Sequence, residues 1–281
     1  MPPRVDKLGP ALKTKLAGAV LLKRDFMQGS WTFGSFQSTL ANLPAGNLLH
    51  FVSFWPRGFD ENYPDYLPPN PALGTLTDFQ SLTAAARAAG HLVMPYTNPT
   101  WWDNEAPTLN TLGPGVVARN RAAALIWETY GSHGGYVVSP TSATVVARQD
   151  QTRVEFTQTV PCDFLFEDQI GARDYPSYAA NSITSDPLRY TQALIDVAAR
   201  TASYLPTMTE GGSDRLAWHE SGFCNTLKLG WYTWPDSTFT PYPMAPLWAH
   251  RHLYFNCHNL AGTFMAVDAA SLTYYVAMGY A

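Results

Sequence analysis

The chain has 281 residues, 46% of them hydrophobic and 14% charged, with a formal net charge of −4. That composition supplies a packed core and excludes a disordered chain, and the slightly acidic balance lacks the basic surface that nucleic acid requires. No apolar run approaches the ~20 residues that cross a bilayer. The opening MPPRVDKLGPALKTK has no charged-then-apolar secretory plan, which leaves secretion and a cytoplasmic location both open because a leader can be removed.

In chain order, apolar strand-like runs occur at KLAGAVLLK (15–23), NLLHFVSFW (47–55), HLVMPYTNP (91–99), CDFLFEDQ (162–169), SYLPTMTE (203–210) and PLWAHRHLYF (246–255). None alternates cleanly between polar and apolar, so they read as strands buried on both faces, as in parallel sheets. A short extra strand at GGYVVSP (134–140) is a further candidate. Between the runs lie helices. The segment TLTDFQSLTAAARAAG offers Thr77 as cap, Phe79, Leu82, Ala86 and Ala89 on one face, and Gly90 as a left-handed stop. In SDPLRYTQALIDVAARTASY, Asp186 caps, Pro187 takes the first turn, and Leu188, Ile195, Ala198 and Ala202 form the inner stripe. The proline-rich stretch 56–74 is expected to cover the mouth of the fold rather than to link domains.

Strand and helix in repeated alternation predict an α/β fold, and the absence of GxGxxG or GxxxxGK[ST] after the first strand favours a (β/α)8 barrel over a nucleotide-binding open sheet. One catalytic barrel domain over residues 1–281 is expected, alone or within a longer multidomain enzyme. Three cysteines, Cys162, Cys224 and Cys257, show no CxxC spacing and indicate no disulfide framework. With 9 Trp, 15 Tyr and 14 Phe, the chain is rich in the flat faces on which sugars stack.

Polar and aromatic clusters follow the strands, where barrels do their chemistry. In CDFLFEDQIG, Phe164, Phe166 and Asp168 share one strand face, and Leu165 and Glu167 the other. Directing the second face inward would bring Asp163 to the barrel floor, so Asp168 is the acid expected inside. Glu210 closes the next run in LPTMTEGG, followed by two glycines that leave room for a ligand or a sharp turn. Two acids from separate strand ends at one mouth fit glycoside hydrolysis; either acid equally serves a salt bridge or a loop.

The succession LAGAVLLKRD, HFVSFWPRGFDENYPDYLPPNPALGT, GHLVMPYTNPTWWD, CDFLFEDQIGARDY and LPTMTEGG, from about residue 16 onward, resembles the barrel of an uncharacterised glycoside-hydrolase-like group. That group is distantly similar to the family 101 endo-α-N-acetylgalactosaminidases and, more remotely, to the α-galactosidase clan. The resemblance implies a retaining mechanism on an α-linked oligosaccharide or glycoconjugate, with Asp168 as nucleophile and Glu210 as proton donor. Glu167, directly before Asp168, leaves the choice of nucleophile between the two open.

Candidate substrate contacts are Trp55, Asp60, Tyr96, Asn98, Trp102, Asp103, Gln169 and Arg173, together with His250 and His252. Trp101 and Trp102 serve either as a sugar platform or as packing, and Glu220 is a reserve proton donor. The HxH of WAHRHLYF suits a metal-dependent barrel hydrolase, but the first strand offers only Lys23, Arg24 and Asp25, so no metal and no cofactor is expected. Two alternatives stand beside the glycosidase reading: a metal-dependent hydrolase using His250 and His252, and a noncatalytic glycan-binding barrel.

Overall fold

The computed structural model describes residues 8–120, 122–173, 187–211, 215–224 and 253–255. Seven strands form one sheet, each neighbour pair parallel: β1 (Leu21–Asp25), β2 (Leu48–Val52), β3 (Leu92–Thr97), β7 (Leu165–Glu167), β8 (Thr207–Glu210), β9 (Gly222–Cys224) and β10 (Leu253–Phe255). Spatial order follows chain order, so every crossover steps the same way. Right-handed crossovers then put all the helices on one face, as in a barrel wall, whereas a doubly wound sheet reverses its order midway. The fold is mixed α/β, and its parallel wall is consistent with part of a (β/α)8 barrel.

Between β3 and β7 the chain makes an excursion of three antiparallel strands, β4 (Trp101–Asp103), β5 (Trp127–Tyr130) and β6 (His133–Val137), in the order β4-β6-β5. The run at 134–140 therefore does form a strand, but outside the barrel wall. Its glycines let the layers close: a Cβ on Gly135 would lie 2.3 Å from the Trp102 carbonyl oxygen.

Two other boundaries differ from the sequence reading. Residues 15–17 finish helix α1 (Pro10–Ala17), and the first strand begins only at Leu21, where pairing with Leu48 starts. Strand β9 was not anticipated, because three residues carry too little pattern to read.

Helix α3 (Leu76–Ala88) buries Phe79, Leu82 and Ala86 and stops at Gly90, φ +88°, as expected. Ala89 is exposed instead. Its cap is Thr75 rather than Thr77, because Thr75 and Asp78 exchange side-chain and backbone bonds as a capping box. Helix α6 (Pro187–Ala202) faces the sheet with Tyr190, Leu194, Val197, Ala198 and Thr201, leaving Leu188 79% exposed. Asp186 lies outside the described residues. The remaining helices are α2 (Phe33–Gln37), α4 (Pro107–Leu112) and α5 (Ala143–Val154).

Much of the aromatic surplus packs the interior. Phe79 meets Phe33 at 4.9 Å and Phe54 at 4.8 Å, and Trp55, Trp101, Trp102, Tyr63, Tyr66 and Tyr96 are all at most 1% exposed.

Candidate active site

The side chains of β7 separate cleanly. Phe166 packs on Tyr96 at 5.7 Å and on His50 at 4.7 Å, which marks the face of Phe164, Phe166 and Asp168 as the inner one. Glu167 turns the other way, where the Thr201 hydroxyl of α6 donates to its Oε1 at 2.6 Å and Arg153 of α5 lies 3.9 Å away. Asp163 is likewise outside, accepting from Arg87 and from the Val93 N–H. Strand parity thus distributes the acids as the sequence led one to expect.

Asp168 follows the strand directly, is 8% exposed, and accepts a 2.6 Å hydrogen bond at Oδ2 from the Tyr96 hydroxyl. Burial, reinforced by Asp168, Tyr63 and Asp60, pushes the Tyr96 phenol far above its ordinary pKa, so it stays a donor to the carboxylate. Glu210 ends β8. Phe166 pairs with Met208 and Glu167 with Thr209, the last pair of the ladder, and Asp168 and Glu210 are the next residue on each chain segment. Glu210 is half-exposed.

The loop after Asp168 is locked from the side. Gln169 adopts φ +66° and accepts through Oε1 from Asn98, Thr100 and Arg173. Arg173, 5% exposed, grips both carboxylate oxygens of Glu128 at 2.6 and 2.8 Å, and the Tyr130 hydroxyl donates to the same Glu128. Burial first, then Glu128 and Asp168 among other neighbours, raises the Tyr130 pKa, with Arg173 opposing. Glu128 and Tyr130 escaped the sequence reading. Their signal was the alternation of WETY on β5, whose pairing with β6 brings them back over the barrel.

Several candidate contacts are buried or bonded within the fold. Trp55 is wholly buried and stacks on Tyr96 at 5.3 Å. Trp102 is also wholly buried and lines, with Tyr66, Gln149, Arg153 and Glu167, a void of about 10 Å³ on the helix side of the sheet, so it offers no platform at the mouth. Asp103 is consumed by Arg57 (3.0 Å), the Asn62 N–H (2.7 Å) and the Glu105 N–H, pinning the covering loop to β4. Asn98 caps its own turn through the N–H groups of Thr100 and Trp101. Asp60, half-buried with φ +60°, acts electrostatically on Tyr96 and Tyr63 and so lies by the inner face. In the same loop Phe59 packs on Tyr96 at 5.4 Å with the Lys23 ammonium 5.5 Å from its ring, which agrees with a cover over the mouth. His250 and His252 lie outside the described residues.

Glu220, the reserve donor, sits before β9 at the opposite strand end and is 0% exposed. Burial and the nearby Glu167 push its pKa well up, and burial, opposed by Arg153 and Thr201, brings Glu167 to about 7. This pair belongs to the helix layer, not the mouth. Among the described residues no cluster of three or more His, Cys, Asp or Glu suits a metal ion, and no helix is long and apolar enough to cross a membrane.

Comparison with known proteins agrees with the fold. A domain of unknown function, DUF6259, matches residues 42–181. No curated protein matches. Among solved structures, the ligand-free α-N-acetylgalactosaminidase NagBb of Bifidobacterium bifidum superposes with a TM-score of 0.74 at 14% identity, over 93% of this chain and 46% of that one. The noncanonic maltogenic α-amylase AmyB of Thermotoga neapolitana gives 0.66 at 12% identity, over 94% and 65%. The trehalose-6-phosphate hydrolase TreA of Bacillus licheniformis gives 0.58 at 10%, over 87% and 57%. At such identities the likeness is one of fold, and the chain spans less than half the length of NagBb.

Proposed function

We propose that the chain is the (β/α)8 catalytic barrel of a retaining glycosidase that cleaves α-linked oligosaccharides or glycoconjugates, with Asp168 as nucleophile and Glu210 as acid and base. The supporting observation is the register of β7 and β8, whose last pair, Glu167 and Thr209, is followed on each side by one of the two acids. Adjacent strands lie about 4.8 Å apart, near enough for both side chains to reach one glycosidic bond, and retention requires their carboxyl groups ~5–5.5 Å apart rather than the ~6.5–9.5 Å of inverting enzymes. The fold shared with NagBb, AmyB and TreA supports a glycan substrate, and the names of the first two support an α linkage.

In this reading the Asp168 carboxylate attacks the anomeric carbon while Glu210 protonates the departing oxygen. Glu210, now ionised, then takes a proton from a water whose oxygen bonds to the anomeric carbon as the bond to Asp168 breaks, which frees the sugar and the carboxylate. Tyr96 holds the attacking carboxylate in place through its 2.6 Å hydrogen bond, and Asp60 is positioned to bind a sugar hydroxyl. The test is a panel of aryl α-glycosides, with the anomer first released followed by proton NMR. Release of the α anomer, abolished by Asp168→Asn, is expected. Sugar binding without turnover across the panel would leave a glycan-binding barrel in its place.

A further inference from the structure

The loops that follow the two acids touch through their backbones. A Cβ built on Gly171 would fall 1.4 Å from the carbonyl oxygen of Gly211 and 2.6 Å from that of Glu210, and one on Gly211 would meet the Ala172 nitrogen and the Gly171 carbonyl carbon at 2.9 Å. Neither site tolerates a side chain without moving main chain, and Gly211 also holds φ +71°, a conformation open chiefly to glycine. One hydrogen bond crosses the contact, from the Gly171 N–H to Thr209 Oγ1 at 3.2 Å, while the Gly211 N–H donates to the Cys224 carbonyl at 2.8 Å and so ties its loop to β9. Glycines that in the sequence suggested space for a ligand are filled by each other.

We infer that Gly171 and Gly211 are positioning residues whose backbone contact sets the separation of Asp168 and Glu210. The inference rests on the glycosidase reading for its catalytic meaning, though the geometry stands apart from it. Gly211 adjoins Glu210 in the chain, and Gly171 follows Asp168 by a turn whose N–H groups of Ala172 and Arg173 return to the Gln169 carbonyl. Pushing the loops apart therefore pushes the acids apart.

The experiment takes the full chain carrying Gly171→Ala and the aryl α-glycoside that the unaltered protein cleaves fastest. With the melting temperature and circular dichroism retained, kcat should fall about 100-fold, the scale of a misplacement near 1 Å. KM should change by less than about threefold, because sugar contacts made equally in ground and transition states survive. A crystal structure of the variant should show the Asp168 and Glu210 carboxyl groups about 1 Å or more farther apart. If Gly171→Ala does not fold, Thr209→Ala, which releases the Gly171 N–H and the Glu210 carbonyl that the Thr209 hydroxyl joins, should lower kcat about tenfold at unchanged KM. An unchanged carboxyl separation in Gly171→Ala, or unchanged kcat in whichever variant folds, overturns the inference. Failure of the unaltered protein to cleave any glycoside overturns the function instead, and the crystallographic separation still decides the positioning claim.

Discussion

Glu167 and Asp168 are neighbours in the chain with the same chemistry, yet they occupy two different solvents. Asp168 faces the barrel interior under a tyrosine hydroxyl, beside the half-exposed Glu210. Glu167 faces the helix layer between Thr201 and Arg153, near the fully buried Glu220. One step along a strand reverses the side chain, and that reversal separates the acid bonded to Tyr96 from the acid buried against the helices.

Exchanging each acid for its amide gives the sharpest contrast. On the proposed mechanism Asp168→Asn removes the attacking atom and should cost about 10⁴-fold or more in kcat, whereas Glu167→Gln should leave kcat within about threefold, since it acts on the far side of the sheet. Steady-state kinetics on one aryl α-glycoside decides both. Equal losses in the two variants would erase the contrast.

The sequence carried the alternation of β7, and with it the inward course of Asp168, because a two-residue period survives even in a three-residue strand. It also carried the caps and stops of helices whose signals lie within a turn, such as Gly90. What it could not show was where aromatic rings end up. Trp55 and Trp102 read equally well as platforms or packing, and only the non-local stacking on Tyr96 and the pairing of β4 with β6 bury them. Asp103 was legible as an acid beside a mouth, but its Arg57 partner lies 46 residues away. Glu128 reaches Arg173 across a similar gap of 45 residues.

The outer acids should set a pH dependence of stability. Folding raises the Glu167 pKa from 4.5 to about 7, chiefly by burial, and Glu220 moves in the same direction. A folded chain that binds these protons more tightly is favoured most below the unfolded value near 4.5, and the advantage disappears as pH rises through about 7. The Glu167 shift corresponds to about 3 kcal/mol. Urea unfolding at pH 5 and pH 8 should show a loss on that scale, reduced in Glu167→Gln. Parallel pH slopes in the two proteins would mean that Glu167 is not the group responsible.

The finest test removes one hydroxyl from each acid. Tyr96→Phe takes away the 2.6 Å donor to Asp168, and the loss of one hydrogen bond to a charged group, about 2 kcal/mol, should appear as a roughly 30-fold fall in kcat. Thr201→Val takes away the 2.6 Å donor to Glu167 and an acceptor for Arg153 Nε. It should lower unfolding free energy by about 1–2 kcal/mol, with kcat unchanged. Since that hydroxyl favours the ionised acid, its removal should also carry the stability loss to higher pH. A Tyr96→Phe protein that only melted earlier, or a Thr201→Val protein that only turned over more slowly, would show that the sheet does not insulate its two faces.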